Sequence, residues 1–89
     1  MPAKITITFA SSAVTDLEDV LAYYSRENVP EVGKRDVGEV IAQVERLADH
    51  PLSGRVVPEF NVAHLREIIH PPFRIVYRYD KKRVRIVKL

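Results

Sequence analysis

Eighty-nine residues, 46% apolar and 29% charged, describe one small soluble globular domain, since two would need roughly 100 residues each. Cysteine is absent and the three histidines are scattered, which removes disulfides and cysteine nucleophiles and argues against a metal centre. The net charge of +2 conceals an asymmetry: residues 1–60 carry 6 Lys/Arg against 10 Asp/Glu, and residues 61–89 carry 8 against 2. An anionic partner is therefore expected at the C-terminal third.

Lys4 to Phe9 alternates polar and apolar residues, with Ile5, Ile7 and Phe9 on one face, the pattern of a half-buried strand. A single lysine followed by alternating Ile and Thr does not read as a signal peptide. No apolar run approaches the ~20 residues needed to span a bilayer, so a cytoplasmic protein without a membrane partner is expected.

From Val14 the spacing changes to Val14, Leu17, Val20, Leu21 and Tyr24, the stripe of a helix. Ser11 or Ser12 is a candidate cap, and Thr15 with Glu18 fits a capping box one turn later. Asn28-Val29-Pro30 ends the segment, because the residue before proline avoids helical geometry. Pro30 then suits the first position of a second helix, whose stripe is Val37, Val40, Ile41, Val44, Leu47 and Ala48. His50-Pro51 terminates it. The short connection predicts an antiparallel helical hairpin.

Pro51 to Pro58 reads as a loop turning at Ser53-Gly54. Three strand-like runs follow, Ala63–His70, Phe73–Tyr79 and Arg83–Leu89, separated by Pro71-Pro72 and by Asp80-Lys81-Lys82. Such short connections predict a β-meander. The order β-α-α-β-β-β predicts an α+β fold, a twisted antiparallel sheet with the helical hairpin packed on one face. The first strand lacks a hairpin neighbour and is expected to pair with one of the later three.

Alternation places Phe73, Ile75, Tyr77 and Tyr79 toward the helices and Arg74, Val76 and Arg78 on the open face. Arg66, Arg83 and Arg85 are candidates to join them. Grouped arginines bind phosphates or carboxylates through bidentate contacts, and they also serve as an ordinary solvated face. Glu59 stands at the mouth of the loop, where a carboxylate near arginines can act as a base. His64 and His70 have no evident partner for acid–base work. Tyr23-Tyr24 offers rings for stacking, although Tyr24 fits the core stripe. No Ser-His-Asp arrangement, glycine-rich phosphate loop or helix-borne metal motif occurs, and no cofactor or metal is expected.

Four pieces in order resemble the RelE/ParE superfamily of bacterial type II toxins: Ala13 to Val20 with Tyr23-Tyr24; Val44 to Pro51 with Ser53-Gly54-Arg55 and Val57-Pro58-Glu59; Leu65-Arg66-Glu67-Ile68; and Phe73-Arg74-Ile75-Val76-Tyr77-Arg78. The resemblance implies a growth-inhibiting toxin of a plasmid-stabilisation type, neutralised by a cognate antitoxin in a hetero-oligomeric complex. Two activities share the scaffold. RelE-like members cleave ribosome-bound mRNA without metal: the 2′-hydroxyl attacks the adjacent phosphate and arginines stabilise the transition state. ParE-like members poison DNA gyrase and are not nucleases.

In the nuclease case the resemblance puts Arg74, Arg66 and Glu59 in the catalytic set, with Arg78, Arg83 and Arg85 binding nucleic acid or another target. Arg74 is expected to be a surface arginine whose loss leaves folding little changed. Val14, Leu21, Val37 and Val44 are expected at the edges of a groove that an amphipathic, acidic antitoxin segment fills. Two departures lean toward the ParE-like branch: Leu65 and Glu67 stand where nucleases tend to carry lysines, and the chain stops at Lys88-Leu89, where the family adds a short basic tail. Residues 1–89 are thus expected to form a single toxin domain, with that C-terminal tail lacking. The competing reading is a non-toxic module that holds RNA on the basic sheet face.

Overall fold

The computed structural model describes residues 5–89; Lys4, the expected start of the first strand, lies outside the described residues. Strand β1 (Thr6–Phe9) leads into helices α1 (Ser11–Arg26) and α2 (Pro30–Glu45), and a 3-10 turn (Arg46–Ala48) extends the second helix. Strands β2 (Arg55–Val56), β3 (Leu65–His70), β4 (Phe73–Asp80) and β5 (Arg83–Lys88) follow. The α+β class and the order of helices and long strands are those the sequence predicts.

The sheet order is β1-β5-β4-β3-β2. Strands β2 to β5 pair antiparallel, as hairpin connections require. Strand β1 lies parallel to β5, with Thr6 opposite Arg83 and Phe9 opposite Ile86. The sheet is therefore mixed, where a wholly antiparallel one was expected. No turn joins β1 to β5, so nothing local dictates their direction. The two-residue β2 is also additional: the expected loop pairs Arg55 with Glu67 and Val56 with Arg66.

The core lies between the helices and one face of the sheet. Ala13, Val40, Val44, Leu47, Ile75, Tyr77, Val84 and Ile86 are buried together, with Ile7, Phe9, Leu17 and Phe73 packed around them. Each large aliphatic side chain buried this way contributes about 1.5–3 kcal/mol. Helix α1 faces the sheet through Ala13, a small residue that permits close approach. Val14 and Leu21 are thereby rotated outward, to 43% and 39% exposure. Val44, expected at a surface groove, is instead 2% exposed: its turn of α2 sits directly on the sheet.

Helix α1 begins at Ser11, with Ala10 as its cap residue and no side-chain cap bond. The Ser12 hydroxyl, a candidate cap, donates instead to the Val87 carbonyl at 2.7 Å. Val87 is the extra residue of a register shift, because Tyr77 pairs with Ile86 and Val76 with Lys88. This bulge turns the end of β5 toward α1, where the Leu89 N–H donates to Asp16 Oδ2 at 3.0 Å. The open face of the sheet, away from the helices, carries Arg55, Glu67, Arg74, Arg78, Arg83 and Arg85.

Candidate functional site

Register decides which charges share a face, because residues directly opposite in a ladder point the same way. Arg55 stands opposite Glu67, Glu67 opposite Val76, and Ile69 opposite Arg74. Arg55, Glu67 and Arg74 therefore lie together on the open face. The Glu67 side chain has no exposed area. Its two oxygens divide between the arginines: Arg55 Nε donates to Oε2 at 2.8 Å, and Arg74 Nε donates to Oε1. The other end of Arg74 is also engaged, with Nη2 donating to Glu59 Oε1 at 2.9 Å and lying 2.8 Å from Oε2.

Two carboxylates thus neutralise two guanidiniums. Burial pushes the Glu67 carboxyl up, but the hydrogen bonds from Arg74 and Arg55 outweigh it and hold the group below the usual 4.5. The Arg74 hydrogen bond likewise lowers Glu59. Its hydrogen bonds to Glu67 and Glu59 in turn raise Arg74 above its ordinary value. Arg74, expected as a free surface arginine, is the bridge between a buried acid and a loop acid.

Arg66 does not join this group. It pairs with Tyr77, on the helix-facing side. Its Nε donates to the Ala63 carbonyl at 3.0 Å, and its Nη1 donates to the carbonyls of Gly54 at 2.9 Å and Leu52 at 3.5 Å. Arg66 is committed to holding the 51–63 segment in place, which corrects its expected membership of a cluster with Arg74 and Glu59. Tyr77 completes this knot: its hydroxyl donates to the Pro51 carbonyl at 2.7 Å and accepts the Gly54 N–H at 3.0 Å. Burial raises the Tyr77 hydroxyl pKa, against the lowering effect of the Gly54 bond. A Cβ at Gly54 would come within 2.7 Å of both the Tyr77 ring and the Glu67 carbonyl, so only glycine fits. Glu59 reaches Arg74 because this knot fixes the loop that carries it.

On the other half of the open face, Arg78 pairs with Arg85 across β4 and β5. Thr6 and Thr8 of β1 stand opposite Arg83 and Arg85. These side chains, with Asp80 and Lys81, line a shallow concavity of about 740 Å³. The expected grouping of Arg78, Arg83 and Arg85 is present there, apart from the Arg74 network. His70 Nε2 lies 3.2 Å from Glu39 of α2, and His64 is exposed on its loop. Tyr23 and Tyr24 meet edge-to-face at a centroid distance of 5.1 Å. Among the described residues no three His, Asp or Glu side chains gather as metal ligands would, and no helix is long and apolar enough to cross a membrane.

Sequence reasoning passed over Glu67 and Arg55 as members of the network, and Tyr77 as a polar group. One signal was available: Glu67 is one of two acids in the basic segment 61–89, and it shares a strand with apolar Leu65 and Ile69. An acid so placed needs a cationic partner.

Over residues 7–89 the chain matches the family model of the ParE toxin of type II toxin-antitoxin system, parDE. No curated protein matches it. Among solved structures it is similar to one described as the chromosomal ParDE TA system from P. aeruginosa. That likeness has a TM-score of 0.77 at 22% identity and covers 94% of this chain and 91% of the other. At that identity the likeness is one of fold.

Proposed function

We propose, for a chain that belongs to the ParE toxin family of type II toxin–antitoxin systems, that growth arrest comes from binding DNA gyrase and not from cutting mRNA. The observation that carries this reading is the pairing of Arg74 with two carboxylates. A nuclease arginine must be free to meet the charge that develops on a phosphate. Arg74 is held by Glu67 and Glu59 together, and Arg66 is spent on three backbone carbonyls. A phosphate approaching Arg74 would also meet two carboxylates. Glu59, paired and held below its ordinary pKa by Arg74, is a poor base near neutrality.

Neutralisation then falls to a cognate antitoxin in a cytoplasmic hetero-oligomeric complex. Val14 and Leu21, exposed on α1, and Val37, half-buried one turn beyond Gly33 on α2, are the apolar contacts offered to it. Val44 has no part in that surface.

The test compares purified protein in two assays. Gyrase supercoiling should be inhibited, and ribosome-bound mRNA should stay intact. Addition of the antitoxin should restore supercoiling. Cleavage of ribosome-bound mRNA that Arg74→Ala abolishes, in a variant still folded by circular dichroism, would overturn the gyrase reading.

A further inference from the structure

The basic concavity carries more positive charge than the described chain answers: Arg78, Lys81, Arg83 and Arg85 line it with one carboxylate, Asp80, which stands opposite Arg83. Arg78 stands directly opposite Arg85, and Arg83 lies two residues along the same strand. All three are exposed, and among the described residues none of them makes a side-chain ion pair. Like charges directly opposite in a ladder are destabilising. The turn beside them repeats the choice. Lys81 and Lys82 form the two-residue β4–β5 connection, with φ of 49° and 63°. Two left-handed residues in a hairpin turn favour Asn-Gly, and lysines adopt that conformation at a cost. Both features set positive charge around one concavity at the expense of the fold.

We propose that this concavity binds the phosphate backbone of duplex DNA. Guanidiniums pair with phosphate oxygens in bidentate fashion. Arg83 and Arg85 point the same way about 6.8 Å apart along one strand, and Thr6 and Thr8 beside them add hydroxyl donors. Every residue of the lining is polar or charged, with the stems of the long side chains adding apolar surface. It holds no ring on which an unpaired base could stack, which disfavours single strands. It holds no apolar pocket for the anchor side chain of an acidic peptide. What remains is contact with phosphates, independent of sequence. This inference stands apart from the gyrase reading, since its test contains no gyrase.

The experiment titrates the full chain into a fluorescein-labelled duplex of about 20 base pairs and follows anisotropy as salt rises from about 50 to 200 mM. With three phosphates neutralised, log K should fall against log salt with a slope of about −2.7. Arg78→Ala/Arg85→Ala should reduce that slope by about 1.8 and weaken binding at the lowest salt at least about tenfold. The variant removes a like-charge pair, so its melting temperature should equal or exceed the parent's; Arg78→Gln/Arg85→Gln serves as a second variant that keeps side-chain bulk. The charge-matched control Arg26→Ala/Lys34→Ala, on the helices, should leave affinity within about twofold. A loss in Arg26→Ala/Lys34→Ala equal to that in Arg78→Ala/Arg85→Ala, salt-insensitive binding or no binding at about 50 mM salt would overturn the proposal. So would tighter binding to single-stranded RNA or to polyglutamate than to the duplex at the same salt.

Discussion

Tyr77 is fully buried, and its hydroxyl touches two backbone groups that no secondary structure serves. It donates to the Pro51 carbonyl and accepts the Gly54 N–H. Phenylalanine would fill the same ring volume and leave both groups without their hydroxyl partner. An unsatisfied buried polar group costs about 1–3 kcal/mol, so Tyr77→Phe should lower the unfolding free energy by that amount in urea titration. The slope with denaturant should be unchanged, because the surface exposed on unfolding is the same. A loss below about 0.5 kcal/mol would mean that the Pro51–Gly54 segment is not held through the hydroxyl. Arg66 grips the same segment through the Leu52 and Gly54 carbonyls, so the two losses should not be additive.

At the scale of elements, the helical hairpin contains two glycines of opposite character. Gly33 lies where α2 crosses α1 closely: a Cβ there would sit 3.1 Å from the Tyr24 Cβ. Gly38, one turn further along the same helix, has nothing within 4 Å of a built Cβ. Its remaining effect is conformational, and glycine costs a helix interior about 1 kcal/mol relative to alanine. Gly38→Ala should therefore stabilise the protein by about 1 kcal/mol, raising the melting temperature by roughly 4–8 °C for a domain of this size. Calorimetry checks this directly; an unchanged or lowered melting temperature would show that Gly38 serves a packing role absent from this geometry. The periodicity of α1 foretold the helix but not its rotation. A small residue, Ala13, took the position nearest the sheet, and larger Val14 and Leu21 were left outside.

At the scale of the whole molecule, the carboxylate–guanidinium network ties β2, β3, β4 and the loop at Glu59 into one electrostatic unit. It makes stability depend on pH in a definite sense. Glu67 and Glu59 titrate below 4.5 in the folded chain. The stability they add is fully present above that ordinary value, and it is lost as pH falls through their lowered folded values. Melting temperature should thus hold steady from pH 7 to about 5 and then decline. Glu67→Gln should melt lower at pH 7 and show a shallower acid decline. Parallel acid profiles for Glu67→Gln and the parent would remove Glu67 as a source of the effect. The network also alters the expectation for Arg74→Ala. That variant strips a partner from a buried carboxylate, so it should lower the melting temperature, with Arg74→Lys restoring part of the loss.

The long strands, helices and hairpin joints were written in the sequence, because alternation, helical spacing and proline placement are local. Phe73 to Tyr79 assigned its faces by period two alone, and the face that carries Arg74 and Arg78 followed from it. The ordered motifs of the chain also resembled the superfamily to which its toxin family belongs. Long-range pairing was not legible. That β1 runs parallel to β5 depends on strands more than seventy residues apart meeting edge to edge, and no turn encodes that. The same limit hid the partners of each charge. Arg66 and Arg74 look alike in sequence, but register sends Arg66 to the side of Tyr77 and Arg74 to the side of Glu67. Whether an arginine is free to meet a phosphate depends on what lies across the ladder from it. Side-chain type is a property of one position, whereas an ion pair is a property of two, and the fold alone brings those two together.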